Sequence, residues 1–154
     1  MSDAAPPPNP PHLTINAQYI KDLSFENPNA PQTLVQNEVR PQIEVNIDLQ
    51  GRAVVPNLYE VALRITATAR QNETVSVVAE LLYGGLFTLL NIPEDQVEPI
   101  CLIECPRLLF PFARRIIADV TRDGGFPPLL LDPIDFVNLY RQNRLAATPA
   151  AGEA

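Results

Sequence analysis

Between Tyr19 and Glu26 the side chains alternate. Tyr19, Lys21, Leu23 and Phe25 fall on one side of an extended strand, and Ile20, Asp22, Ser24 and Glu26 on the other. This strand, predicted over Leu13–Phe25, stops at Asn27-Pro28-Asn29-Ala30-Pro31, which is turn chemistry. A long crossover over 27–41 leads to a second strand, Gln42–Leu49, with unbroken alternation. The third, Leu58–Arg70, places Tyr59, Val61, Leu63, Ile65, Ala67 and Ala69 on one side and Glu60, Arg64, Thr66, Thr68 and Arg70 on the other. A turn at Gln71-Asn72 opens the fourth, Glu73–Tyr83, in which Val75, Val77, Ala79, Leu81 and Tyr83 share the buried side. One-sided alternation of this kind predicts an antiparallel sheet with one covered face.

The second half changes period. From Pro93 to Thr121 apolar residues recur at helical spacing, with Leu108, Leu109, Phe112, Ala113, Ile116, Ile117 and Val120 as a wide stripe. Pro106 and Pro111 must kink or restart that helix, and Gly124-Gly125 with Pro127-Pro128 ends it. A last helix is predicted from Asp132-Pro133, with Asp132 as N-cap, ending near Leu145. Strands first and helices afterwards give an α+β domain: a four-stranded antiparallel sheet with helices packed on one face. Residues 1–11, with five prolines, and the Ala-rich residues 146–154 read as loose tails around a single domain over 12–145.

Charge narrows the partners. The chain has 154 residues, 46% of them hydrophobic, and a net charge of −7 with Lys21 as its one lysine. Such a balance repels nucleic acid and attracts basic partners. The stretch Leu81–Ile92 is too short, and too broken by Gly84, Gly85 and Thr88, to span a bilayer, which needs about 20 residues. Met1-Ser2-Asp3-Ala4-Ala5 lacks the positive charge of a signal peptide and is followed by prolines, which favours the cytoplasm. Cys101 and Cys105, four apart, read as free buried thiols. With His12 as the sole histidine they make no zinc site. Nucleophile elbows and phosphate-cradling loops are missing from the sequence, so no cofactor, metal or nucleotide is expected.

The outer face of the expected sheet carries Asp22, Glu26, Glu44, Asp48, Glu60 and Glu80, with Arg64 and Arg70 as basic exceptions. Val78 and Leu82 stand beside Glu80. Such a surface suits the docking of a basic partner. An enzyme using Asp22 and Glu26 as a carboxylate pair is the distant alternative. Four residues along a strand separate them by about 13 Å, beyond the roughly 5–10 Å between paired glycosidase carboxyls, and an open face offers no desolvation to raise a pKa.

The run Lys21-Asp22-Leu23-Ser24-Phe25-Glu26, continued by Pro28 and Ala30-Pro31, closely resembles a signature of the SecB family. Further motifs agree in order: Tyr59-Glu60-Val61, Leu63-Arg64-Ile65-Thr66, Gly84-Gly85-Leu86-Phe87, Cys105-Pro106, Leu109 to Arg114, Gly125 to Pro128 and Pro133 to Phe136. The resemblance covers about Asn16 to Asn143. It implies an ATP-independent chaperone that holds secretory precursors unfolded and delivers them to the SecA motor ATPase. It also implies a homotetramer, a dimer of dimers; the charge and the broken apolar stretch argue against a nucleic-acid partner and direct membrane insertion. Carried onto matching positions, SecA binding falls on Asp22, Glu26, Val78 and Glu80. A groove for unfolded preproteins falls near Val39, Ile43, Val45, Phe136 and Tyr140. A solitary chaperone dedicated to one client, such as an antitoxin, would share this fold. The family's frequent Trp before the second strand is replaced here by Val39, which makes that end of the groove less aromatic.

Overall fold

The four alternating segments form one antiparallel sheet in the computed structural model, which describes residues 9–35 and 40–147. Most of the two expected tails, and Val39, lie outside the described residues. The strands are β1 (His12–Glu26), β2 (Gln42–Val55), β3 (Leu58–Gln71) and β4 (Thr74–Leu90), in the order β1-β4-β3-β2. Strands β1 and β2, neighbours in sequence, are therefore opposite edges. The crossover between them carries one turn of helix, α1 (Gln32–Val35). Tight turns close the hairpins at Asn57 (φ 67°) and Asn72 (φ 58°), the left-handed conformation that Asn tolerates.

Two strands run further than alternation suggests, because β2 continues to Val55 and β4 to Leu90. Glycine does not end β4. Gly84 lies beneath the Tyr19 ring, where a Cβ would come within 2.7 Å of it. Gly85, on the other face, lets Leu109 and Phe87 approach to where a Cβ would stand, 2.8 and 2.6 Å from it. Both glycines mark close packing rather than a break.

Parity also changes within β1 and β4, and near the end of β2 at Ala53/Val55. β1 pairs with β4 through register shifts at Ile15/Ala17 and Ile20/Asp22. The extra residue at Lys21 puts Tyr19, opposite Gly84, on the outer face with Asp22, Ser24 and Glu26. It puts Ile20, opposite Tyr83, on the inner face with Leu23 and Phe25. This corrects the simple alternation, which pairs Tyr19 with Leu23. A shift between Ala69 and Arg70 likewise sets Val75 opposite Arg70, off the buried side, while Ser76 is buried and donates to the Ala69 carbonyl at 3.1 Å.

The helical layer comprises α2 (Glu94–Pro99), a π-helical turn (Ile100–Glu104), α3 (Cys105–Asp123) and α4 (Phe136–Ala147). The π turn precedes Pro106, and the Cys105 amide reaches back five residues to the Ile100 carbonyl. The wider turn makes room for the Pro106 ring, which in a regular helix clashes with the carbonyl four residues earlier. Helix α3 covers β3 and β4, where Leu109, Ala113 and Ile117 meet Leu63, Ile65, Leu81 and Phe87 in the core. The buried stripe differs from the expected one: Phe110 is buried, while Leu108 and Phe112 are exposed.

Helix α4 begins three residues later than predicted. Asp135, not Asp132, accepts the Asn138 amide proton, at 3.1 Å. The Asp132-Pro133 pair belongs to an extended approach. That approach is pinned to α3 at two points: Thr121 Oγ1 accepts the Leu129 amide proton at 2.9 Å, and Arg114 Nε donates to the Leu131 carbonyl at 2.8 Å.

Candidate functional site

The outer sheet face is ordered by strand register. Asp22 pairs with Leu82, Ser24 with Glu80 and Glu26 with Val78, while Asp48 faces Arg64 and Glu44 faces Thr68 on the far side. The register thus brings Asp22, Glu26, Val78 and Glu80 together on two adjacent strands. Asp22, Glu26, Glu44 and Asp48 are exposed, and among the described residues they make no side-chain hydrogen bond or ion pair. Val78 and Leu82 are half-buried between them. Glu80 is bound by Arg64 Nη1 at 2.5 Å.

A second cluster occupies the other end of the same face. Glu60 accepts a hydrogen bond from Tyr19 Oη at 2.5 Å and ion pairs from Lys21 Nζ and Arg52 Nε, both at 3.1 Å. The hydrogen bond from Tyr19, helped by the two cations and opposed by desolvation, holds its carboxyl down at about 2. Burial, then the Glu60 hydrogen bond and charge, push the Tyr19 phenol up to about 12. Alternation places Glu60 on this face, but the cluster depends on the bulge at Lys21, which leaves no signature in the sequence.

The inner face of β2 is open. Ile43 and Val45 are 50% and 38% exposed. With Ile47 they form one wall of a trough of about 420 Å³, whose other wall is the extended segment Leu129–Ile134. A narrower apolar cleft of about 170 Å³ adjoins it and shares Ile43 and Leu129. The remaining groove residues lie elsewhere. Phe136 is 2% exposed and sits edge-on to Phe110, with ring centroids 6.1 Å apart, so it belongs to the core and does not line the trough. Tyr140 borders a separate cavity with Leu49, Leu102 and Glu98. Val39 lies outside the described residues. Sequence reasoning missed the Leu129–Ile134 wall. The available signal was an apolar Leu129-Leu130-Leu131 run directly after two prolines, too short to be a helix.

Cys101 and Cys105 are free and buried. The hydrogen bond between them, then burial, holds the Cys105 thiol well above its ordinary value. Among the described residues no cluster of three or more His, Cys, Asp or Glu could hold a metal ion, and no helix is long and apolar enough to cross a membrane.

A four-stranded antiparallel sheet with helices packed on one face is the fold of a SecB-like chaperone. The fold is similar to that of the Mycobacterium tuberculosis Rv1957 SecB-like chaperone, solved in complex with a ChAD peptide from the HigA1 antitoxin. The TM-score is 0.65 at 16% identity, covering 79% of this chain and 90% of that one. The family model described as preprotein translocase subunit SecB matches residues 7–147. The protein-export protein SecB of Bradyrhizobium sp. (strain BTAi1) is 53% identical over 150 residues, covering 97% of this chain and 91% of that one. The protein-export protein SecB of Maricaulis maris is 54% identical over 144 residues, covering 92% and 84%. This chain belongs to the SecB family.

Proposed function

We propose that this protein is an ATP-independent export chaperone that works in the cytoplasm as a dimer of dimers. It holds secretory precursors unfolded and hands them to the SecA motor ATPase. The observation that carries the reading is the division of surfaces: an acidic outer face and an apolar trough on the opposite, inner face of the sheet. Asp22, Glu26, Val78 and Glu80 form the SecA contact, with carboxylates steering a basic element and Val78 supplying apolar area. Ile43 and Val45 take apolar client segments, each gaining roughly 25 cal/mol per Å² buried. Repeated weak contacts around a tetramer raise overall affinity through effective concentration.

The test is charge reversal at Asp22 and Glu80. Asp22→Lys with Glu80→Lys abolishes SecA binding and leaves suppression of client aggregation without ATP intact. Loss of both functions in a variant that stays tetrameric rejects the division of surfaces. Holding of one antitoxin, with no protection of secretory precursors, would instead mark a chaperone dedicated to a single client.

A further inference from the structure

Besides Glu60, five acids stand on the outer face, three of them in the proposed SecA contact, and they are not equivalent. Asp22, Glu26, Glu44 and Asp48 are exposed and unpaired among the described residues, whereas Glu80 is already occupied by a cation of this chain. We propose that Arg64 is an internal competitor for the docking partner. It fills the Glu80 carboxylate in the free protein, and a partner arginine or lysine must displace it. This rests on the docking reading above and adds a residue that tunes it.

The register supports an exchange. Arg64 on β3 lies directly opposite Leu82 on β4 and Asp48 on β2. Its guanidinium is not on Asp48, however. It reaches diagonally to Glu80, one pair along the sheet, at 2.5 Å. The two side chains are 35% and 37% exposed, so the pair is half-solvated and labile. A displaced Arg64 has a second carboxylate within reach, since directly opposed Cα atoms lie about 4.5–5.5 Å apart. Asp48 is exposed and unpaired among the described residues. One cation enters at Glu80 while another moves to Asp48, and every carboxylate involved ends paired.

The Glu60 cluster shows the contrast. Glu60 has two cations and a phenol, and its side chain is only 11% exposed, so it is a fixed part of the sheet. Glu80 has one half-exposed partner. The Arg64 pair therefore discriminates against isolated weak cations and yields to a partner that brings further contacts to Asp22, Glu26 and Val78.

The experiment measures SecA affinity by calorimetry for the full-length protein and for Arg64→Gln, Glu80→Gln and the double variant. Removing the competitor tightens binding by about three- to fivefold, the scale of one exposed ion pair. In the Glu80→Gln background the same substitution changes affinity less than twofold, because the contested carboxylate is gone. Neutral or weaker binding by Arg64→Gln overturns the proposal, as does equal tightening in both backgrounds, which would mean a general field effect. If Glu80→Gln binds like the parent protein, the docking reading itself fails. Client holding serves as the folding control, since Arg64 lies on the face opposite the trough.

Discussion

Tyr19 on β1 and Glu60 on β3 are joined by a 2.5 Å hydrogen bond across the intervening strand β4. The phenol reaches over Gly84, the one β4 position there without a side chain to block it. Three strands are tied by one contact that none of the strand ladders requires.

Breaking this contact has a stability signature. Tyr19→Phe leaves the ring and removes a donor to a charged acceptor, and costs about 1.5 kcal/mol in urea unfolding. The Glu60 carboxyl is held down from 4.5 to about 2, so the unfolded chain takes up that proton first as pH falls. The contribution of Glu60 is complete above pH 4.5 and is lost between 4.5 and 2. The Tyr19 phenol is raised from 10.0 to about 12, so its contribution is complete below pH 10 and is lost as pH climbs to 12. Glu60→Gln flattens the acid limb of the stability profile. An unchanged acid limb would remove Glu60 as its source.

The two β4 glycines make separable predictions. Gly84→Ala drives a methyl into the Tyr19 ring and costs about 1–2 kcal/mol. In a Tyr19→Ala background most of that cost disappears, which a double-mutant cycle reads directly. Gly85→Ala pushes against Leu109 and Phe87 in the core, costs about 2–3 kcal/mol, and is not rescued by any change at Tyr19.

The expected groove residues divide by burial. Ile43→Asp and Val45→Asp weaken suppression of client aggregation and shift unfolding by less than about 0.5 kcal/mol, since both side chains are exposed. Phe136→Ala empties a core position against Phe110 and costs about 3–5 kcal/mol. Equal destabilisation by all three substitutions would place Ile43 and Val45 in the core as well.

At the start of α4 two aspartates compete for one role. Asp135→Ala removes the acceptor for the Asn138 amide and costs about 1 kcal/mol. Asp132→Ala, in the exposed extended approach, changes thermal stability by less than about 0.5 kcal/mol. The reverse ranking would restore the earlier helix start.

These contrasts show where sequence suffices. Strand β3 is central and unbulged from Leu58 to Ala69, so alternation alone assigns every side chain to its face. Asp22 and Glu26 are assigned correctly because both follow the bulge at Lys21. Tyr19, before it, is not. The partner that receives its phenol is Glu60, 41 residues away, and no local pattern encodes that. Asp132-Pro133 carries the composition of a helix start, but the tether of Leu131 to Arg114 keeps the chain extended. The helix begins beyond it, and Phe136 turns into the core. The turn after β1 also has a structural role: Asn27 donates to the Gly124 carbonyl at 3.2 Å and Asn29 to the Val75 carbonyl at 2.6 Å, so these two residues clamp the end of β1 to the end of α3 and to β4.

The edge position of β1 bears on how the chain is made. Its pairing partner, β4, begins at Thr74, some 50 residues after β1 ends at Glu26. At typical rates of synthesis, β1 waits on the order of ten seconds before that strand exists. During that interval Ile15, Ile20 and Leu23 belong to a segment whose pairing strand has not been made. For those seconds a newborn copy of the protein has the properties of the chains a finished copy is proposed to protect.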